Sequence, residues 1–450
     1  MELRSKRVLV VGLGKSGLAA ARFLKERGAR VTVSDIRPAG LIAELPSLLD
    51  AGIMVETGSH GLLTFRRQDL IVVSPGVPAN TPELAQVRAL GTPILGELEL
   101  GASFLQGEIA AITGSNGKTT TTTLLGEILK ASGRPTLVGG NIGRPVVEMV
   151  AESTPESWSV LEVSSFQLET IQSFHPRIAV VLNITPDHLD RHGSFEAYAA
   201  AKARITENQA ADDFLVLNAE DKQTQRVAAK TRAQIFWFSP RRQVKQGTFV
   251  QGESIFFRAS EGGKAEPVMP VAEIPLAGAH NVENVLAAVC AARLAGVERA
   301  VIRQAVTAFH AVEHRLEFVR EIGGVRWFND SKATNVDATT KAVEAFPGGI
   351  YLILGGKDKD SDYSTLAPLL RERVRAVITI GSAAEKIETQ LAGVVKIESA
   401  ETMERAVAWV QREARAGDVV LLAPACSSFD QFENYEHRGR VFKELVHALR

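Results

Sequence analysis

Short apolar runs punctuate the chain at residues 8–11, 31–34, 71–74, 109–113, 160–163, 178–184 and 214–218, and again at 351–354, 376–380 and 419–422. They are mostly continuous rather than alternating, and are bounded by glycine, proline or polar turn residues. That pattern belongs to strands of parallel sheets covered on both faces. Between them lie stretches with helical spacing at 18–27, about 118–131 and about 281–295, the first two stopped by Gly28 and Gly133. The alternation predicts β-α-β units, and residues 248–257 read as a hairpin turning at Gly252-Glu253. The expected fold class is α/β in three domains: Rossmann-like over 1–98, a central P-loop ATPase-like mixed α/β domain over 99–311, and a second Rossmann-like domain over 312–450. Residues 91–100 read as the connector out of the first.

Composition narrows this picture. A chain of 450 residues matches about three domains at roughly 150 residues each. With 45% hydrophobic and 23% charged residues, neither disorder nor a coiled coil fits. Fifty-one basic residues face 52 acidic ones without a run of like charge, so no nucleic-acid or lipid-surface partner is expected. Cys290 and Cys426 are too few for a disulfide framework and lack metal-ligand spacing, which points to the cytoplasm. The basic start followed by residues 8–13 faintly resembles a signal peptide, but Gly12, Gly14 and Lys15 end it early, and it reads as a buried first strand. No apolar stretch approaches membrane-spanning length, so no membrane insertion is expected.

Two glycine loops carry the candidate chemistry. Gly12-Leu13-Gly14-Lys15-Ser16-Gly17 lies between a strand and a helix, with Asp35 closing the next strand. Glycines there let backbone amides approach a diphosphate at a helix N-terminus, and the acid can accept from ribose hydroxyls. On these residues alone three readings stand: an NAD-dependent oxidoreductase, another nucleotide diphosphate, or tight strand-helix packing.

The second loop, Gly114-Ser115-Asn116-Gly117-Lys118-Thr119-Thr120, is a shortened relative of the Walker loop and the stronger signal. Its amides can cradle phosphates, Lys118 adds a positive charge, and the Thr119 hydroxyl can reach Mg²⁺. ATP and Mg²⁺ are the expected cofactors. Glu162 ends the next strand, where parallel sheets present ligands, and His188 follows the strand after it within Asp187-His188-Leu189-Asp190-Arg191-His192. Lys202, by spacing, reads as an ordinary surface lysine. A non-enzymatic ATP switch is a further reading, though it does not require Glu162, His188 and Lys202.

With these loops in view the whole chain resembles the Mur ligases, and most closely their glutamate-adding branch. The resemblance rests on Gly114 to Thr120, on Leu161-Glu162-Val163-Ser164-Ser165-Phe166-Gln167-Leu168-Glu169, on the Asp187 cluster and on His280-Asn281 with Asn284. In the last third it rests on His314-Arg315, Asn329-Asp330-Ser331-Lys332-Ala333-Thr334-Asn335, Leu354-Gly355-Gly356-Lys357-Asp358-Lys359 and Pro424-Ala425-Cys426-Ser427-Ser428-Phe429-Asp430-Gln431-Phe432.

The resemblance implies an ATP-dependent ligase of peptidoglycan precursor synthesis, which joins D-glutamate to UDP-N-acetylmuramoyl-L-alanine through an acyl phosphate. It implies catalytic roles for Lys118, Glu162, His188 and Lys202, and metal ligation by Thr119, Glu162, His188 and a carbamylated Lys202. By the same token ATP meets Gly114 to Thr120, Asn281, Asn284, His314, Arg315 and Asp330. The UDP-sugar falls to Ser16, Asp35, Arg37, Ser74, Gly76 and Asn141, which displaces the dinucleotide reading of the first loop, and D-glutamate to Lys332, Thr334, Lys359, Ser428 and Tyr435. The expected unit is a monomer. Three positions depart from the family pattern: Tyr435 stands for a phenylalanine, Ala423 for a serine, and Lys15 for an apolar residue.

Overall fold

The computed structural model describes residues 1–78, 80–229, 231–276, 278–310 and 313–449. The proposed boundary at 311/312 therefore lies outside the described residues. The apolar runs form three sheets. The first is wholly parallel and five-stranded, in the spatial order Met54–Thr57, Arg30–Asp35, Arg7–Val11, Leu70–Val73, Ile94–Gly96. Crossing outward in both directions from Arg7–Val11 puts the ends of the central strands around one crevice, where open α/β sheets bind ligands. Helix Lys15–Glu26 begins at the glycine loop and buries its alanine face and Phe23 on the sheet.

The second sheet has nine strands, with Glu108–Thr113 at its parallel heart between Trp158–Glu162 and Ile178–Val181. Its helix Lys118–Ala131 packs with helix Ala279–Leu294 over a large apolar core. The hairpin forms as expected, from Gly247–Gln251 and Ser254–Arg258, and extends through Ala265–Pro270 into an antiparallel edge. The third sheet has six strands, all parallel except the edge strand Glu317–Ile322.

The stretch at 91–100 does more than connect. Ile94–Gly96 is the fifth strand of the first sheet, and helix Glu97–Ala102 follows at once. This helix turns Leu100 into the first core and Leu98 into the second. Its acids are buried fastenings: Glu97 accepts from the Val147 amide at 2.9 Å, and Glu99 accepts from the amides of Gln172, Ser173 and Phe174. Both cysteines are buried and free. No described helix is long and apolar enough to cross a membrane.

Candidate active site

The first glycine loop is shaped from within its own sheet. A Cβ at Gly17 would meet the Gly12 carbonyl oxygen at 1.9 Å, so the helix can start against the strand only with glycine there. The Asp35 carboxylate accepts from the Leu13 amide at 2.7 Å and from the Arg37 guanidinium at 2.9 and 3.0 Å. Burial opposes the charge, but the Arg37 and amide hydrogen bonds outweigh it and hold the carboxyl down to about 2. Asp35 thus braces the loop. Ser16 opens the helix, Ser74 is buried at the end of the neighbouring strand, and Gly76 with Val77 offers carbonyls to Arg191 of the central unit, at 3.4 and 3.0 Å. Lys15, the departure from the family pattern, also crosses that boundary, donating to the Gly143 carbonyl.

The second loop is a meeting point of two units. Gly114 and Gly117 have φ of +154° and +85°, and a Cβ at Gly117 would meet Asn284 Oδ1 at 2.1 Å. Lys118 Nζ donates to the Gly114 and Ser115 carbonyls, both at 2.9 Å, and burial lowers its pKa. Thr119 Oγ1 donates to Glu162 Oε2 at 2.7 Å, while Asn141 Nδ2 holds Oε1 at 2.9 Å. Burial works against the Glu162 charge, but Lys332 and Lys118 outweigh it and keep the carboxylate ionised. Thr119 and Glu162 therefore present hard oxygens side by side, a donor set suited to Mg²⁺.

His188 sits in the left-handed region at φ 54°, its ring edge-on to Phe166 at 4.8 Å. Burial pushes its pKa down to about 4, so the imidazole is neutral and able to ligate. Lys202 is only 2% exposed and donates to the Gly114 carbonyl at 2.8 Å. Burial lowers its pKa far below the usual value. The surface reading of its spacing is overturned: helix Phe195–Ala203 turns this lysine inward beside Tyr198, whose hydroxyl is 2.9 Å from Ser115 Oγ.

Two clefts open on this loop. One, of about 690 Å³, brings Lys118, Asn141, His188 and Lys202 of the central unit against Thr334, Lys359, Ser428 and Tyr435 of the last. Lys359 Nζ lies 2.8 Å from Asp187, and Lys332 Nζ reaches Thr119 Oγ1 at 2.5 Å, with the Tyr435 ring 4.9 Å away. Burial lowers the Lys332 ammonium to about 8 even with Glu162 opposing the shift. The other cleft gathers Asn116, Gly117, Thr120, Asn281, Asn284, Arg315 and Asp330, together with His280 and Lys341.

His314 does not line either cleft. Its ring is buried behind them, 2.8 Å from Asn329 Nδ2 and tight against Gly439. Sequence reading passed over Asn183, Asp337 and Lys341. Asn183 binds the loop through Asn116, with 2.8 Å from the Asn116 amide to its Oδ1. Asp337 and Lys341 stand one helical turn apart in a plain amphipathic helix, and only a turn's spacing of opposite charge could have flagged them.

The model for the Mur ligase middle domain matches residues 112–292, that for the Mur ligase glutamate ligase domain 314–426, and that for the Mur ligase MurD-like N-terminal domain 6–96. The chain belongs to the Mur ligase family. Among Mur ligase relatives, the UDP-N-acetylmuramoylalanine--D-glutamate ligase of Acidobacterium capsulatum is 66% identical over 100% of this chain and 98% of its own length. The enzyme of the same name from Koribacter versatilis is 58% identical over 100% and 99%. Among solved Mur ligases, the UDP-N-acetylmuramate-alanine ligase of Thermotoga maritima superposes with a TM-score of 0.63 over 98% of this chain and 99% of its own, at 20% identity. The MurF ligase of Thermotoga maritima in complex with ADP gives 0.60 over 99% and 96%, at 18% identity. These two extend the shared three-sheet fold to distant members of the family.

Proposed function

We propose that the protein is an ATP-dependent ligase that joins D-glutamate to UDP-N-acetylmuramoyl-L-alanine, yielding ADP, phosphate and a new amide in peptidoglycan precursor synthesis. The observation that carries this reading is the convergence on one cleft of Lys118, His188 and Lys202 with Thr334, Lys359 and Ser428 from the last unit, with Glu162 held just behind it by Asn141 and Thr119, beside a second cleft suited to a nucleotide. The substrate carboxylate attacks the γ-phosphorus of ATP and ADP leaves. The amine of D-glutamate then attacks the acyl carbon, phosphate departs, and the amine gives up a proton.

Both steps gather negative charge, and the buried Lys118 opposes it where water cannot screen. Mg²⁺ held by Thr119 and Glu162 would supply further neutralisation at the phosphates. His188 and Lys202 suit a second metal position only if Lys202 bears a carboxylate. Its suppressed basicity supports that modification, because the neutral amine is the form that adds CO₂ and the resulting carbamate is anionic. Lys332 and Lys359 suit the two carboxylates of glutamate. The Ser16, Asp35, Arg37, Ser74, Gly76 and Asn141 surface suits the UDP-sugar, and Asn141, bonded to Glu162, joins that surface to the phosphate loop.

Asn281, Asn284, Arg315 and Asp330 suit the nucleotide, while His314 is packed behind them against Asn329. One chain supplies every residue named, so a monomer suffices, working in the cytoplasm where nucleotide precursors are made. The divisions near 98 and 311 set out three units, and the nucleotide and glutamate clefts lie where the second and third of them meet. Purified protein should release phosphate from ATP only with both UDP-N-acetylmuramoyl-L-alanine and D-glutamate present. Release with neither, an equal rate with L-glutamate, or absence of an amide product refutes the reading.

A further inference from the structure

We propose that Asp337 is a positioning residue through which the last unit sets the shape of the phosphate-binding loop, an inference that rests on the ligase reading above. Asp337 stands in the first turn of helix Val336–Glu344, whose N-cap Asn335 accepts from the Ala338 amide at 2.8 Å. Its Oδ2 accepts from Asn116 Nδ2 at 2.5 Å and from Thr185 Oγ1 at 3.3 Å, and it pairs with Lys341 Nζ at 3.0 Å. One carboxylate oxygen thus touches the phosphate loop, the segment leading to His188, and a lysine of the nucleotide cleft.

The arrangement makes the contact consequential. The main chain of Asn116 is already gripped on its own side by Asn183, from the Asn116 amide to Oδ1 at 2.8 Å and from Nδ2 to the Asn116 carbonyl at 3.1 Å. Ser115 Oγ is tied to the Thr185 main chain at 2.9 Å in both directions. The Asn116 side chain is left to reach across to the last unit, where Asp337 is the short acceptor and Asn335 a longer one at 3.4 Å. Gly117 and Lys118 follow directly, so a displaced Asn116 displaces the amides and the ammonium meant for phosphate.

A bare carboxylate beside a polyphosphate site would repel its ligand, and the Lys341 ammonium cancels that charge while lining the nucleotide cleft. A first-turn acid can also serve merely to stabilise its helix. That role would change thermal stability and would not couple to Asn116.

The test is a double-mutant cycle on turnover with Asp337→Ala, Asn116→Ala and the pair, alongside Tm and the KM for each substrate. Losing a charge-assisted hydrogen bond corresponds to about a tenfold fall in kcat. The expected result is that fall in each single variant, a double variant no slower than the worse single by more than about twofold, and an unchanged KM for the UDP-sugar. Asp337→Asn keeps an acceptor for Asn116 but leaves the Lys341 ammonium uncompensated in the nucleotide cleft, so it should recover much of kcat without raising the KM for ATP. Additive effects, or losses that track Tm alone, overturn the proposal while leaving an active wild type and the ligase reading intact. A wild type that forms no amide overturns both.

Discussion

The two glycine loops start from nearly the same local design, a buried parallel strand, a glycine turn and a helix N-terminus, yet they are held in opposite ways. The first is braced by its own sheet: Asp35 and Arg37 grip Leu13, and the Gly17 contact closes the turn. The second is completed by another unit, through Lys332 on Thr119 and Asp337 on Asn116, while Lys202 reaches Gly114 from a helix far along the chain. A loop that only binds can be preformed by one sheet. A loop that transfers a phosphoryl group between reactants carried on different units gains from being complete only when those units meet.

That contrast is open to direct attack. Lys118→Ala should abolish turnover, by about a thousandfold or more, while calorimetric binding of UDP-N-acetylmuramoyl-L-alanine stays unchanged; loss of both would erase the division between the loops. Lys202→Ala should also be inactive, with part of its turnover restored by added acetate, which offers the missing carboxylate. Rescue by simple amines instead would rule out a carbamate.

Gly17→Ala perturbs the first loop alone. Its Cβ would lie 1.9 Å from the Gly12 carbonyl oxygen, and overpacking of this kind costs about 1–3 kcal/mol. The KM for the UDP-sugar should rise with the KM for ATP unmoved, measured on the same preparation.

The connector between the loops offers a pH test. Burial raises the Glu97 carboxyl from 4.5 to about 7, with Glu148 adding to the shift. The folded chain therefore holds a proton that the unfolded chain has released. Stability is fully present below about pH 4.5, falls as pH rises toward 7, and then levels off, for a total of roughly 3 kcal/mol. Glu97→Gln should flatten that part of the profile in denaturant titrations, and an unaltered slope would remove Glu97 as its source. The smallest effect is expected from Lys15→Ala, where the loss of one exposed contact to Gly143 should cost under about 1 kcal/mol and leave turnover unaltered.

Much of this protein was legible one segment at a time. The helix expected from Lys118 to Ala131 has those bounds, and residues 214–218 and 419–422 form strands at the positions their apolar runs indicate. Edge strands such as Glu317–Ile322, with its exposed and half-buried residues, escaped notice because one face meets water and the apolar run is broken. Lys202 shows the limit more sharply: its Ala-rich helix has almost no amphipathic contrast, so nothing in its spacing tells which face turns inward. His314 shows the converse, a residue beside the nucleotide cleft in sequence but packed behind it in space.

The sequence by itself determined the α/β class, the two phosphate-shaped turns and the family, because strand length, glycine placement and helix starts are local consequences of backbone sterics and burial. Only the tertiary structure decided which lysines are buried, which carboxylates stay charged and which residues from the last unit reach the second loop. Those properties depend on desolvation and on distances between segments far apart in the chain, and neither is written in local spacing.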